Sequence, residues 1–450
     1  MTGGTLPLLA AGTPEEAQIT SRESGISRDG QEPFEIAAAE PRSTFAAVFG
    51  IGEFRALWTA QVVSVAGDQL ARVAITLLVF NQTRSAFLAA IAFAASVVPT
   101  FVGGLTLSGL ADRWPRRQVM ITCDLSRAFM VGVMALPWMP IGIRVGLLFL
   151  VTMVSAPFTS ARAALYPDIL HGDRYVLGTA VTLTTLQFAQ VLGFAVGGAL
   201  VGFFGVRASL LADAATFLLS AAIIQLWVRP RPADPGRPPR GTTAGLAPGG
   251  GPASGLRAGL RLVFGTPALL VPMLFGWLST FYNVPEGIAA PLGHALGGGD
   301  VAVGLILAAG AFGASMGAVL FGRLVQPRQR LRWMGTLATM SCAVLMLFVF
   351  QPPLPVALLL LMTSGLFDCY QLAANAAFVR AVPHRQRSQA FGIAQGGMSL
   401  GQGTAMIIAG AAAQHFAASD VIAAAGLLGA IAAVLVVLLS RISRAEPGLW

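Results

Sequence analysis

From residue 57 onward, apolar residues come in long runs broken only by short clusters of arginine, proline and glycine. The runs cover approximately 57–80, 87–110, 119–139, 141–165, 177–204, 208–227, 269–290, 301–325, 334–350, 354–379, 390–416 and 421–439. Each holds roughly 20 residues, enough for a helix to cross about 30 Å of hydrocarbon. Lipid offers no partner for open backbone groups, and strands of a membrane barrel are only about 10 residues long, so the pattern predicts helices. The expected fold class is an all-α polytopic membrane protein with about twelve transmembrane helices in two six-helix halves.

Composition agrees. Of 450 residues, 55% are hydrophobic and 11% charged, whereas charged residues make up about a quarter of an ordinary soluble domain. The arginines fall on one side of the predicted membrane: Arg113, Arg116, Arg117, Arg174, Arg229, Arg231, Arg237, Arg240, Arg257, Arg261, Arg328, Arg330, Arg332, Arg380, Arg385, Arg387, Arg441 and Arg444. The other side has little more than Arg84, Arg144 and Arg207. Short basic loops stay cytoplasmic, so both termini are expected in the cytoplasm of a multi-pass protein of the cell membrane. The net charge of +9 then follows from topology, and no nucleic-acid partner is called for. Every basic residue is arginine, which reads as coding bias rather than chemistry.

The sequence divides into five parts. Residues 1–56 are polar and acidic, lack the basic n-region of a signal peptide, and read as a disordered cytoplasmic tail. A first six-helix half covers 57–228, a Pro-, Gly- and Arg-rich cytoplasmic linker 229–262, a second half 263–441, and a short cytoplasmic tail 442–450. Cys123, Cys342 and Cys369 lie inside apolar runs and the histidines at 171, 294, 384 and 415 are scattered, so neither a disulfide framework nor a metal site is expected. No GxxxxGK phosphate loop is present, and no nucleophile and base stand at useful spacing. An enzyme is therefore not expected, and no cofactor either.

Faint repetition links the halves. "LGTA" at 177–180 and "FGIA" at 391–394 each open a helix after a basic loop, and "PRRQVM" at 115–120 has a partner in "PRQRLRWM" at 327–334. The second copy keeps the arginines and lacks an aspartate corresponding to Asp112.

"LADRWPRR" at 110–117 resembles the cytoplasmic loop signature of the major facilitator superfamily: Gly, any, Leu, Ala, Asp, Arg, any, Gly, Arg, Arg or Lys. Ser108 and Pro115 stand where that signature has glycines, and Pro115 makes a stiffer turn. "ARAALYPD" at 161–168, "DAATFLLSA" at 213–221 and "NAAFVRAVP" at 375–383 resemble the bacterial drug and siderophore exporters of that superfamily, and the resemblance spans about 53–441. Asp112 at the end of the second helix is suited to pair with an arginine or a helix N-terminus of the opposite half only while the halves are closed there. Arg380, Arg385 and Arg387 are candidate partners, with Arg162 as a rival. Arg113, Arg116 and Arg117 either share in this latch or hold the loop to anionic lipid and fix topology.

Ionisable groups at membrane depth cost about 2.5–3.5 kcal/mol on insertion scales and rarely lack a role. The first helix carries Gln61, Ser64, Asp68 and Arg72 at spacings of 3, 4 and 4, which puts them on one face. The fourth carries Thr152, Ser155 and Thr159, the seventh Tyr282, Asn283 and Glu286, the tenth Asp368, Gln371 and Asn375. The resemblance implies that helices one, four, seven and ten line the central cavity. These residues are thus the candidate substrate contacts, with Asp68, Arg72 and Asp368 as candidate proton-coupling groups. Desolvation favours a neutral carboxyl and a nearby arginine a charged one, so alternation between the two environments loads and releases a proton. The plainer alternative is a permanent Asp68–Arg72 pair. Asp124 and Arg127 are expected to be a packing pair or to support the Asp112 loop. "VLGFAVGG" at 191–198 places Gly193, Gly197 and Gly198 at a spacing that permits close helix contact.

The expected function is secondary active transport: proton-coupled efflux of a small hydrophobic compound such as a drug, antibiotic or siderophore, by an antiporter that works as a monomer. Its partners are then a small-molecule substrate, protons and the lipid bilayer. The alternatives are a proton-coupled nutrient importer and a non-transporting sensor or scaffold.

Overall fold

The computed structural model describes residues 44–107, 114–231, 260–383 and 386–445. These form helices and connections only, with no strand among the described residues. A short helix α1 (Phe45–Phe49) leads into α2 (Gly52–Thr83), the first crossing. The second crossing is broken into α3 (Ala86–Ala94) and α4 (Val98–Thr106); α5 (Arg116–Met134) and α6 (Ile141–Ile169) follow. The fifth and sixth crossings run together as α7 (Asp173–Trp227), divided at Gly205. In the second half the seventh crossing is four short pieces, α8 (Pro267–Trp277), α9 (Ser279–Tyr282), α10 (Val284–Gly287) and α11 (Ala289–Ala295). Then come α12 (Gly299–Leu324), α13 (Pro327–Leu345) with a 3₁₀ extension, α14 (Leu354–Phe367) and α15 (Tyr370–Ala381) as one broken crossing, α16 (Arg387–Ala412) and α17 (Ala418–Ala445).

Nine segments among the described residues are long and apolar enough to cross a membrane by themselves. The count differs from twelve for physical reasons. One of the nine is α7, which turns back on itself at Gly205, where φ is +81°, a backbone conformation that favours glycine. Two further crossings, α5 and α16, fall short because α5 carries Arg116, Arg117, Asp124 and Arg127, and α16 is rich in glycine and glutamine. Large apolar side chains face outward along the bundle, for example Leu183, Leu192, Leu218, Leu428, Ile431 and Leu435, which suits lipid and would be unfavourable in water.

Helix starts follow local chemistry. Ser85 caps α3 by accepting the Leu88 N–H at 3.2 Å, and Pro115, Pro140 and Pro353 precede α5, α6 and α14. Within the part expected to be a tail, residues 45–49 and 52–56 are helical, with Val48 and Phe54 fully buried. Glu53 accepts from Arg231 Nη2 at 2.6 Å and from the Arg229 N–H at 2.9 Å, fixing the start of the expected linker against the first crossing.

Within the first half α2 packs along α7, and α5 on α6 and α7; in the second, α12 packs on α14 and α13 on α17. The halves meet where α7 touches α12 and α3 touches α16. The two ends of the bundle differ. At the end from which residues 229–266 emerge, called here the linker end, two connections are long, 107–115 and 228–266, and three are short, 170–172, 325–326 and 382–386. At the far end each is six residues or fewer: Arg84–Ser85, Ala135–Pro140, Gly205, Leu296–Gly298, Gln351–Pro353 and Ala413–Ala417.

Candidate functional site

The polar residues of the second half gather where two helices lose their regular ladder. Pro285 has no N–H to give the preceding turn, and the seventh crossing is interrupted at Leu278, Asn283 and Ile288. Opposite, the tenth crossing tightens at Asp368 and Cys369, where Asp368 N bonds Gly365 O at 3.0 Å and Gln371 N bonds Asp368 O at 2.9 Å. Tyr282 Oη donates to Asp368 Oδ1. Gln371 Nε2 donates to Tyr282 Oη at 2.9 Å and to Gly276 O at 3.2 Å. These groups face a cavity of about 420 Å³ that also meets Asn283, Glu286, Ser279 and Gln402, with Gln187 and Gln190 of α7 supplying the wall from the first half. Broken helices bring carbonyls and side chains together at membrane depth without exposing them to lipid.

The structure thus brings together Tyr282, Asn283, Glu286, Asp368 and Gln371, and separates the other candidates from them. Thr152, Ser155 and Thr159 turn their hydroxyls back to Leu148 O, Thr152 O and Ser155 O at 2.6–3.0 Å. They and the exposed Asn375 lie outside the cavity lining. Gln61 is buried in α2, with Oε1 unpartnered. Gln187, Gln190, Ser279 and Gln402 were not anticipated. Their signal was present, since Gln187 and Gln190 are polar residues at helical spacing inside an apolar run.

In the first half the charges form a separate cluster. Arg127 of α5, 1% exposed, is paired with Asp68 of α2 through Nη2, with Asp124 at 3.4 Å through Nη1, and donates from Nη1 to Ser64 Oγ at 3.2 Å. Its guanidinium stacks 4.0 Å from the Phe217 ring centroid. Asp124 also accepts from Ser220 Oγ at 2.6 Å. Asp213 of α7, fully buried, accepts from Thr216 Oγ1 at 3.3 Å and leaves Oδ2 unpartnered. It packs so close to α2 that a Cβ at Gly67 would strike it. One guanidinium therefore pairs with two carboxylates, and Asp213 stands near them with no ion pair to it. Only Asp68 among them reaches accessible space, with 27% of its side chain exposed.

The permanent Asp68–Arg72 pair of the plainer alternative is not formed. Arg72 lies one helical turn beyond Asp68, and its Nη2 donates at 3.2 Å to Ser96 O, a carbonyl freed by the break between α3 and α4. Its guanidinium lies 5.6 Å from the Phe93 ring and 6.0 Å from that of Phe194. Arg72 and Glu286, one from each half, are within electrostatic reach of each other.

At the linker end Asp112, Arg113 and Arg385 lie outside the described residues, and of Arg387 only its place as the first residue of α16 is described. Arg116 binds Asp168 at 2.6 Å and Ala164 O at 2.8 Å, tying α5 to α6. Arg117 caps the end of α7 through Ile224 O and Gln225 O. Arg162 is buried beside the Tyr166 ring at 5.8 Å, with Nε and Nη1 unpartnered, and Arg380 is exposed.

The far end is closed between the halves. Asn81 Nδ2 of α2 donates to both Asp300 oxygens at 3.2 and 3.3 Å, and Asp300 contacts His294 Nε2 at 3.2 Å. The His294 ring lies 5.1 Å from Phe80. Gln414 donates to Ser85 Oγ at 2.8 Å. Beneath them α7 and α12 meet backbone to backbone: a Cβ at Gly198 would lie 2.5 Å from Gly304 Cα. The glycines of 191–198 thus serve two contacts, since Gly193 faces Ala66 O and Gln69 of α2.

The sequence profile of the Major Facilitator Superfamily matches residues 57–366 and 287–449. Over 328 residues the chain is 28% identical to the multidrug efflux pump Tap of Mycobacterium tuberculosis (strain ATCC 25618 / H37Rv), which covers 68% of this chain and 74% of that protein. Over 280 residues it is 24% identical to the enterobactin exporter EntS of Shigella boydii serotype 4 (strain Sb227), covering 60% of this chain and 63% of that one. Among solved structures, a POT family transporter in complex with 5-aminolevulinic acid has a TM-score of 0.67 at 10% identity, over 89% of this chain and 98% of the other. A bacterial homologue of the human lysosomal transporter Spinster, inward-facing and occupied, has a TM-score of 0.64 at 15% identity, over 86% and 96%. At these identities the structural likeness shows the fold alone.

Proposed function

Because the chain belongs to the major facilitator superfamily, we propose that it exports a small, largely hydrophobic compound in exchange for protons, by alternating access to the cavity around Tyr282, Asp368 and Gln371. One observation carries this reading. Each half holds a carboxyl group at accessible depth, Asp68 and Asp368, and each is tied to a partner it must release, Arg127 and Tyr282, as it takes up or loses a proton. In the first half, Arg127 pairs with both Asp68 and Asp124, so one positive charge faces two carboxylates and a proton on either one balances the pair of charges.

With the linker end taken as cytoplasmic, the contacts Asn81–Asp300 and Ser85–Gln414 shut the outward side of the cavity. Substrate then enters the cavity from the cytoplasm or the inner leaflet and contacts Tyr282, Asn283, Glu286 and Gln371 against Gln187 and Gln190. Export rather than import is supported by the named activities of Tap and EntS.

The test is compound accumulation in an efflux-deficient bacterial host, at matched membrane abundance. Wild type should lower accumulation of at least one hydrophobic dye or antibiotic, and Asp368→Asn, Asp68→Asn or an uncoupler should abolish the effect. Export that persists in the double substitution and in the presence of the uncoupler would refute proton coupling. Lack of response to a broad panel would refute export of general hydrophobic compounds.

A further inference from the structure

A second cavity, of about 350 Å³, opens at the far end among α2, α5, α6 and α7 and is lined by Asn81, Gln82, Pro137, Arg144, Val206 and Arg207. It belongs to one half and takes no part in the transport cavity. Two of the few arginines on the arginine-poor side converge here. Arg144 is only 5% exposed. Its Nη2 is held by Leu136 O at 2.6 Å and Pro137 O at 3.4 Å, while its Nε is buried without a partner. Among the described residues no carboxylate pairs with Arg144 or Arg207. Asp300, the acid nearest in the network, is occupied by Asn81 and His294.

A buried guanidinium without a counter-charge is costly. An oxyanion removes that cost, because the guanidinium fork matches phosphate geometry, and Arg207, exposed and lining the same cavity, supplies a second cation. The surroundings indicate where that anion comes from. Trp138, next to Pro137, is 72% exposed, and Phe203 and Phe204, just before Val206, are 77% and 69% exposed. Exposed aromatics of this kind settle at the headgroup level of a bilayer. Asn81 Oδ1, buried and unpartnered, is an acceptor for a hydroxyl on the same group.

We propose that the cavity between Arg144 and Arg207 is a phosphate-oxyanion site, filled in the membrane by the headgroup of an anionic phospholipid. The site is independent of the transported compound and of the proton-coupling reading.

The test uses the full chain in phosphatidylcholine nanodiscs with and without phosphatidylglycerol, and in detergent with and without inorganic phosphate. Unfolding temperature and, for the lipid, retention in native mass spectrometry are followed. Wild type should retain phosphatidylglycerol and melt at a higher temperature with it. Arg207→Gln, at an exposed position, should fold normally and bind about tenfold more weakly, a change of about 1.4 kcal/mol. Arg144→Gln should lose more, and since its loop contact also contributes to folding, Arg207→Gln is the deciding variant. Stabilisation by inorganic phosphate but not by the lipid, lost in Arg207→Gln, would uphold the oxyanion site and overturn the lipid as its source. Lack of response to either ligand, or equal responses in wild type and Arg207→Gln, would overturn the site.

Discussion

Arg127 shows at the scale of one residue why charges are easier to find in a sequence than to pair. Asp68, Asp124, Arg127, Asp213 and Asp368 stand out because each interrupts an apolar run. The partner of Asp68 does not stand out, since Arg127 lies on another helix 59 positions away and no local spacing encodes the contact. Arg72 has the right spacing, but one turn carries it past Asp68 to the freed carbonyl of Ser96. Removing Arg127 while leaving Asp124 buried strips that carboxylate of its cation, a change that costs about 3–5 kcal/mol for buried pairs. Arg127→Met should therefore sharply lower the unfolding temperature in detergent. Pairing it with Asp124→Asn should recover part of the loss, and simple additivity of the two would speak against a shared cluster.

At the scale of the element, the crossings were legible from hydrophobic run length, and their interruptions only where a helix breaker marks them. "YNVPEG" at 282–287 contains proline and glycine, and the helix breaks there. The interruption at Asp368 and Cys369 has neither residue at the break, so no breaker announces it. The two breaks are nonetheless structural partners, because they bring Tyr282 and Asp368 into contact. Pro285→Ala returns an N–H to the seventh crossing and favours a straighter helix. Transport should fall roughly tenfold, about 1.4 kcal/mol of lost positioning, with membrane abundance unchanged. Uptake assays scaled to immunoblotted protein would reveal it, and full activity would mean that the break does not position the site. The fourth helix shows a similar limit of local spacing. Thr152, Ser155 and Thr159 share a polar face, but hydroxyls in a helix have their own backbone as a ready acceptor.

For the whole molecule, the far end is held closed by short polar links and one backbone contact. Asn81–Asp300 joins the halves through a bond to a carboxylate, worth about 1.5–3 kcal/mol. Asn81→Leu should therefore raise the open-to-closed ratio at this end by roughly tenfold or more. Spin labels at Arg84→Cys and Phe416→Cys, both exposed, would report a larger long-distance population; the native cysteines are buried. Gly304→Val acts in the same direction by wedging α12 from Gly198. Distance distributions matching wild type in both variants would mean that other contacts hold this end shut. Sequence alone pointed to a latch at the linker end, around Asp112. The far-end links escaped notice because Asn81, Asp300 and Gln414 sit at helix ends, where polar residues are ordinary.

The brevity of the far-end connections bears on what can recognise the molecule from that side. With six residues or fewer in each, that face presents almost no free strand or loop for a protease cleft or an antibody to grasp. A binder raised against it has to read the tips of several helices at once, from both halves. Those tips move apart when the closure opens, so such a binder is by construction a reporter of conformational state, and holding the tips together would make it an inhibitor.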